Sequence, residues 1–294
     1  MTRSIDPIVS TEWLAAHLAA GGPAVSPSPG GFVMIDIREP HTYRAGHIRQ
    51  AISVPFGAVS AWATSTDELL MEVPETADLF KVIGDCGVDP DSKVVIVGTL
   101  DKAPAPPYSL ADATRVAATL IYAGVENVAI LDGGHPTWVQ QGRETTAEVP
   151  ELSPVTYSST VRRETFLSTE QLKERIGKVS LVDGRDPDQY FGVTVDPFAG
   201  KAGHIPTAKS LPAPWIWQEN GTYKPTAVLE QMVAGVVGPS KNQEITAYCG
   251  VGGYASAWWF VLTQILGYAD VTIYDGGAEA WAKDNAMVMY SWAL

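Results

Sequence analysis

Residues 34–55 read MIDIREPHTYRAGHIRQAISVP, and the second half of the chain repeats that pattern in two pieces, LVDGRDPDQY over 181–190 and KAGHIPTAKSLP over 201–212. Shared positions pair Asp36 with Asp183, Arg38 with Arg185, Pro40 with Pro187, Tyr43 with Tyr190, and Gly46-His47-Ile48 with Gly203-His204-Ile205. Farther on, VENVAILDGGHPTW (125–138) matches ADVTIYDGGAEAW (269–281); Asp132 and Asp275 stand 143 positions apart, as do Trp138 and Trp281. A repeat on this scale is a duplicated domain, and 294 residues suit two domains of ordinary size. Residues 144–164, rich in Ser, Thr, Pro and charge and without helical periodicity, read as the linker. The boundary is expected near Pro150, giving domains 1–150 and 151–294.

Each copy reads helix, strand, loop, helix, strand, helix, strand. In the second copy Ser168-Thr169-Glu170 opens a helix with capping chemistry, residues 179–183, 245–248 and 271–274 are short apolar strands, and 227–237 and 255–266 are helices. Short apolar strands alternating with helices imply a parallel sheet covered on both faces, so each copy is expected to be an α/β sandwich.

Composition narrows the function classes. With 46% hydrophobic and 18% charged residues the chain is an ordinary globular protein. A net charge of -13 argues against nucleic acid as partner, because phosphate backbones are bound by clustered Lys and Arg. The cysteines, Cys86 and Cys249, suit a reduced, cytoplasmic compartment. The N-terminus lacks the basic start and apolar block of a signal peptide. Residues 245–269 carry no charge over 25 positions, long enough for a membrane span, but their glycines and tyrosines suit a strand, a turn and a buried helix better.

Within that uncharged stretch, AYCGVGGYASAWWF (247–260) sets Cys249 at the carboxyl end of a strand and before the amino end of a helix, where open α/β sheets bind ligands. Gly250, Gly252 and Gly253 let successive backbone N–H groups turn inward as an anion-binding concavity. The helix dipole adds partial positive charge, so the thiol is expected to be lowered toward the nucleophilic thiolate. The competing reading is a small cysteine packed beneath a tight turn. At the matching place the first copy has Gly98, followed by a longer, proline-rich loop.

An Asp-x-Arg after an early strand, a Gly-His-Ile turn, a cysteine loop in the second copy alone and a terminal Asp-Gly-Gly before Trp together resemble the tandem-domain rhodaneses, the thiosulfate and 3-mercaptopyruvate sulfurtransferases. The resemblance covers essentially the whole chain. It implies two rhodanese-like domains, each a parallel five-stranded sheet flanked by helices, the first lacking the cysteine. It also implies a persulfide on Cys249, cradled by the amides of Gly250, Val251, Gly252, Gly253, Tyr254 and Ala255, and places the family's substrate-anion arginine at Arg185. Donors would be thiosulfate or 3-mercaptopyruvate, and acceptors cyanide, a thiol or a thioredoxin-like protein; no cofactor or metal is implied. Related phosphatases and arsenate reductases use a longer loop closed by arginine, and here the sixth position after Cys249 is Ala255. The loop also departs from the 3-mercaptopyruvate type, since Val251 replaces a hydroxyl and Tyr254 a threonine. A hydrophobic organic persulfide or polysulfide donor, or a non-catalytic persulfide carrier, fits that departure.

Other residues carry two readings each. Arg185 is either the anion ligand or a structural partner of Asp183 or Asp186. Lys201, in a segment that the first copy lacks, is either a second cation for substrate or a solvated lysine. His47 and His204 occupy equivalent turns and suit structural duty, although the resemblance gives His47 a seat near a cleft. Trp215 and Trp217 either wall that cleft or pack in the core. Asp132 and Asp275 are expected to end a strand and bind the Gly-Gly turn that follows. Cys86 is expected only to pack at a helix end.

Overall fold

A computed structural model of the protein describes residues 3–20, 30–102 and 105–290. Met1 and Thr2 of the N-terminal stretch, and Ala103 and Pro104 of the loop after Gly98, lie outside those residues.

The first repeat contains β1 (Ile8–Val9), α1 (Thr11–Ala19), β2 (Phe32–Asp36), α2 (Pro40–Ala45), β3 (Ala51–Ser53), the paired strands β4 (Thr64–Thr66) and β5 (Leu69–Glu72), α3 (Thr76–Asp85), β6 (Lys93–Val97), α4 (Tyr108–Tyr122), β7 (Asn127–Leu131) and α5 (Gly134–Gln140). The second contains β8 (Phe166–Leu167), α6 (Thr169–Arg175), β9 (Ser180–Asp183), α7 (Pro187–Phe191), β10 (Lys209–Ser210), α8 (Thr226–Val236), β11 (Glu244–Tyr248), α9 (Gly253–Phe260), β12 (Asp270–Tyr274) and α10 (Gly277–Asp284). Two five-stranded sheets result, in the orders β1-β7-β6-β2-β3 and β10-β9-β11-β12-β8, with every pairing parallel. The expected α/β architecture of five parallel strands per repeat is therefore observed.

The strands have the sequence that two covered faces demand. All five residues of β2 are buried, as are the last four of β6 and of β11, with no alternation of polar and apolar positions. Ser168 caps α6 through a full capping box with Gln171, each side chain bonding the other's backbone N–H. The helix expected over 255–266 begins two residues earlier, at Gly253, and gives way to a π-helical turn at Val261–Ile265, where Leu266 N–H donates to Val261 O at 2.9 Å. The uncharged stretch 245–269 is thus a strand, a turn and a buried helix, and among the described residues no helix is long and apolar enough to cross a membrane.

The chain packs as two compact units, one of Met1–Thr64, Pro74–Arg163 and Glu219–Tyr223, the other of Ser65–Val73, Glu164–Gln218 and Lys224–Leu294. Residues 151–163, beyond the boundary expected near Pro150, belong to the first. Val155 N–H donates to Gly84 O at 2.9 Å, the Tyr157 hydroxyl to Ala123 O at 2.8 Å and Arg162 N–H to Tyr122 O at 2.8 Å. This stretch, expected as part of the linker, packs with the first unit.

Each unit also takes in a short piece of the other half of the sequence. In the first, Tyr223 N–H donates to Asp132 Oδ1 at 2.9 Å. In the second, the segment Ser65–Val73 supplies Val73 N–H to Asp275 Oδ2 at 2.8 Å and, from β5, Leu70 N–H to Glu279 Oε2 at 2.9 Å.

Candidate active site

Cys249 follows β11, the central strand of its sheet, and is 3% exposed. Gly252 N–H donates to its Sγ at 3.1 Å. Gly252 is the N-cap of α9 at φ 103°, a backbone conformation that only glycine adopts without strain, and it aims that amide back at the sulfur. The two carbonyls at the start of the loop are held by the amino end of α10: Ala278 N–H donates to Cys249 O at 2.7 Å and Glu279 N–H to Gly250 O at 3.1 Å. Gly277 permits this approach, since a Cβ there would stand 2.3 Å from Gly250 O. The first unit repeats the arrangement without sulfur. His135 N–H donates to Gly98 O at 3.0 Å, and a Cβ on Gly134 would meet that carbonyl at 2.5 Å. Gly98 therefore occupies the position of Cys249.

Burial pushes the thiol above its ordinary range. The amides of Ala255, Gly252 and Val251 pull it down, and the Asp196 carboxylate pushes it up again. Dehydration wins, so the expectation of a thiol lowered by the cradle is corrected for this resting site. Three amides of the expected six act on the sulfur.

Beneath the loop lies a buried polar hub. Asp183, at the end of β9, accepts from Arg185 Nε at 3.0 and 3.2 Å, from Arg185 Nη2 at 2.6 Å and from the Tyr248 hydroxyl at 2.5 Å. Arg185 Nη2 also donates to Gly203 O at 2.8 Å. In the first unit Arg38 forks onto Asp36 in the same way and donates to Gly46 O at 3.0 Å. A guanidinium arranged identically in a unit whose matching loop has Gly98 in place of the cysteine is a fold anchor. Two of its three nitrogens are engaged there, and Nη1 makes no hydrogen bond.

A rhodanese-like domain model matches residues 10–141 and again 168–284. The chain belongs to the rhodanese-like family. Relatives of this rhodanese include a protein of Saccharopolyspora erythraea named "Putative thiosulfate sulfurtransferase", 29% identical over 96% of this chain and 94% of the relative. The sulfur carrier protein TtuD of Thermus thermophilus is also 29% identical, over 94% and 93%. Among solved structures, wild-type EanB matches with a TM-score of 0.80 at 23% identity, over 96% of this chain and 69% of that one. An anaerobic ergothioneine biosynthesis enzyme from Chlorobium limicola, solved with trimethyl histidine, matches with a TM-score of 0.78 at 24% identity, over 95% and 68%. These two likenesses show the fold.

Lys201 is exposed, and its Nζ donates to Asn285 O at 3.3 Å, as a surface lysine does. His47 is fully buried, stacked on Tyr43 with ring centroids 3.8 Å apart, and both ring nitrogens meet backbone carbonyls, of Tyr43 and Glu148, at 3.1 Å. His204 stacks on Tyr190 with ring centroids 4.0 Å apart, and its Nδ1 stands 2.8 Å from Tyr190 O. Trp217 is buried and Trp215 half exposed, so of that pair only Trp215 offers its ring to solvent. Tyr254 is buried in the first turn of α9, while Val251 is half-buried. Cys86 is buried at the end of α3 and burial pushes its thiol to about 12.

Three neighbours of the loop were not anticipated. A Cβ on Gly250 would stand 3.1 Å from Asp196 Oδ2 and 3.6 Å from the Phe198 ring, and a Cβ on Gly253 would stand 3.9 Å from Met71 Sδ. Asp196 and Phe198 lie in the segment without a counterpart in the first repeat, and Met71 comes from β5, in the other half of the sequence.

Proposed function

We propose that this chain is a sulfurtransferase that carries sulfane sulfur as a persulfide on Cys249, with the second repeat, 151–294, doing the chemistry and the first, 1–150, supporting it. The observation that carries the reading is the Gly252 amide at 3.1 Å from Cys249 Sγ, at the head of a buried helix, with Val251 and Ala255 amides acting on the same atom. A second sulfur added to Cys249 extends toward those donors, and amides fixed in advance stabilise the anionic persulfide without reorganising. The names of the relatives, a thiosulfate sulfurtransferase and a sulfur carrier, agree with sulfur transfer.

With a donor R–S–SH, the Cys249 sulfur attacks the terminal sulfur, the R–S to sulfur bond breaks, and R–S leaves with the electron pair. The proton held by the Cys249 thiol goes to that leaving sulfur, so the products are the Cys249 persulfide and R–SH. A thiol, cyanide or a thioredoxin-like protein then takes the terminal sulfur and regenerates the cysteine, a two-step exchange with ping-pong kinetics. Thiosulfate and 3-mercaptopyruvate deliver sulfur by the same displacement, releasing sulfite or pyruvate. A reducing compartment such as the cytoplasm keeps the cysteine free for it.

The test is intact-protein mass after incubation with thiosulfate, 3-mercaptopyruvate or an organic persulfide. One sulfur is expected on Cys249, absent in Cys249→Ser and retained in Cys86→Ser; absence with every donor rejects the reading. A buried thiol and a relative named as a sulfur carrier favour one alternative, a carrier that holds its persulfide for a protein partner. An adduct that forms but resists cyanide and small thiols selects the carrier.

A further inference from the structure

We infer that Asp196 is a specificity-determining residue of the Cys249 site, a carboxylate that disfavours the doubly charged donor thiosulfate in the cradle relative to organic persulfides. The inference rests on the sulfur-transfer reading of Cys249 and deepens it by naming the donor class.

Three observations carry it. First, Asp196 is 3% exposed and turned toward the loop: Oδ2 stands 3.1 Å from where a Gly250 side chain would begin, one residue from the cysteine. Its Oδ1 is engaged elsewhere, accepting Phe198 N–H at 2.8 Å and Ala199 N–H at 3.1 Å. Second, Asp196 is incompletely neutralised. The cation facing it is Arg185 Nη1, at 3.6 Å and without a hydrogen bond, on a guanidinium already committed to Asp183. Two carboxylates share one guanidinium, so the group has an excess negative charge beside the sulfur. Third, among the described residues the first unit shows the Asp36–Arg38 pair without a second carboxylate, the segment that carries Asp196 has no counterpart in the first repeat, and the matching loop there has Gly98 in place of the cysteine. The added carboxylate occurs only where there is a thiol to act on.

A doubly charged donor approaching Gly250 meets a carboxylate at close range in a dry site, where repulsion is poorly screened. An organic persulfide carries at most one charge against the two of thiosulfate and reacts here as the neutral R–S–SH, and the Phe198 ring and Met71 thioether that flank the glycines suit its apolar body. Asp196 also caps the turn at Phe198, so a structural role must be separated from a charge role.

Iodoacetamide and iodoacetate, nearly equal in size and different in charge, separate them, read as the rate of mass gain at Cys249 in Cys86→Ser protein. The expected iodoacetate-to-iodoacetamide rate ratio is about tenfold below that of free cysteine. Asp196→Asn should bring it to within about threefold of free cysteine and raise kcat/KM for thiosulfate relative to an organic persulfide by about tenfold. Asp196→Glu keeps the charge and Phe198→Ala loosens the turn without altering charge; both should retain the low ratio. Asp196→Ser, which keeps an acceptor for the two amides, is the second neutral variant if Asp196→Asn does not fold. A native ratio equal to that of free cysteine, equal changes in Asp196→Asn and Phe198→Ala, or no reaction with either reagent overturns the inference. Alkylation reads charge whether or not Cys249 carries sulfur, so this failure and a missing sulfur adduct are separate results.

Discussion

The backbone N–H of Val73 donates to the Asp275 carboxylate at 2.8 Å, and at the equivalent place in the other repeat Tyr223 N–H donates to Asp132 at 2.9 Å. Asp275 stands between β12 and α10, the helix whose amino end grips the Cys249 and Gly250 carbonyls. The tie that fixes β5 is therefore one turn from the tie that fixes the cysteine loop. Asp275→Ala strips the half-buried Val73 amide of its acceptor, which costs about 1 kcal/mol. Limited proteolysis should then cut faster within residues 65–73, whereas Asp132→Ala should speed cutting within 219–223. Unchanged cleavage patterns would show that other contacts hold these segments.

Gly277 and Gly134 form an internal control for the loop. Both have positive φ, 56° and 58°, and a Cβ on either would collide with the carbonyl it shelters, Gly250 O at 2.3 Å or Gly98 O at 2.5 Å. Alanine at either position should destabilise by a similar amount, about 1–3 kcal/mol, because the strain is the same. Sulfur transfer should fall at least about tenfold in Gly277→Ala, where a displacement near an angstrom misplaces the sulfur against its amides. It should be nearly unchanged in Gly134→Ala, where the displaced residue is Gly98. Equal activity losses, compared at temperatures where both variants are folded, would mean the first unit takes part in the chemistry.

The duplicated α/β frame was legible because Asp-x-Arg, Gly-His-Ile and Asp-Gly-Gly each recur at equivalent places, and because buried parallel strands such as β2 write themselves as unbroken apolar runs. The cysteine loop was legible for the same reason, with Gly98 as its blank. Asp196 was not. Its partners are amides two and three residues ahead and a loop more than fifty positions away, and no repeated motif marks it. The β4–β5 turn escaped too, since Asp67 and Glu68 adopt left-handed φ of 53° and 65° without the glycine or asparagine that advertises such a turn. Arg185 was legible as conspicuous but not as engaged, because a fork onto a residue two positions away looks the same in sequence as an arginine free for substrate.

That fork yields its own prediction. Arg185→Lys keeps the charge and loses the planar donor pair, leaving Asp183 and Gly203 O underserved in a dry hub. A loss of about 3 kcal/mol is expected, as for breaking a buried ion pair, and Arg38→Lys should lose a similar amount through Asp36 and Gly46 O. Urea denaturation of the two variants is the measurement. A fully stable Arg185→Lys protein that has lost only donor affinity would return Arg185 to the role of anion ligand.

The last prediction concerns pH. Burial holds the Cys249 thiol above its ordinary range despite three amides pulling the other way. In the unfolded chain it ionises near about 8.5. Between those two values the native protein keeps a proton that the unfolded chain has released, so native binds more protons and stability falls as pH rises. The contribution is complete below about 8.5 and is gone once pH passes the native value. Cys86, raised by burial to about 12, acts in the same direction. Cys249→Ser and Cys86→Ser should therefore each flatten the alkaline fall in stability above about pH 8.5, measured as urea unfolding free energy against pH. The iodoacetamide rate at Cys249 in the native protein should rise with a midpoint above that of the urea-unfolded chain. A native midpoint below the unfolded one would mean that the amides outweigh dehydration and that Cys249 rests as a thiolate. In that case the proton handed to the leaving sulfur would have to come from solvent.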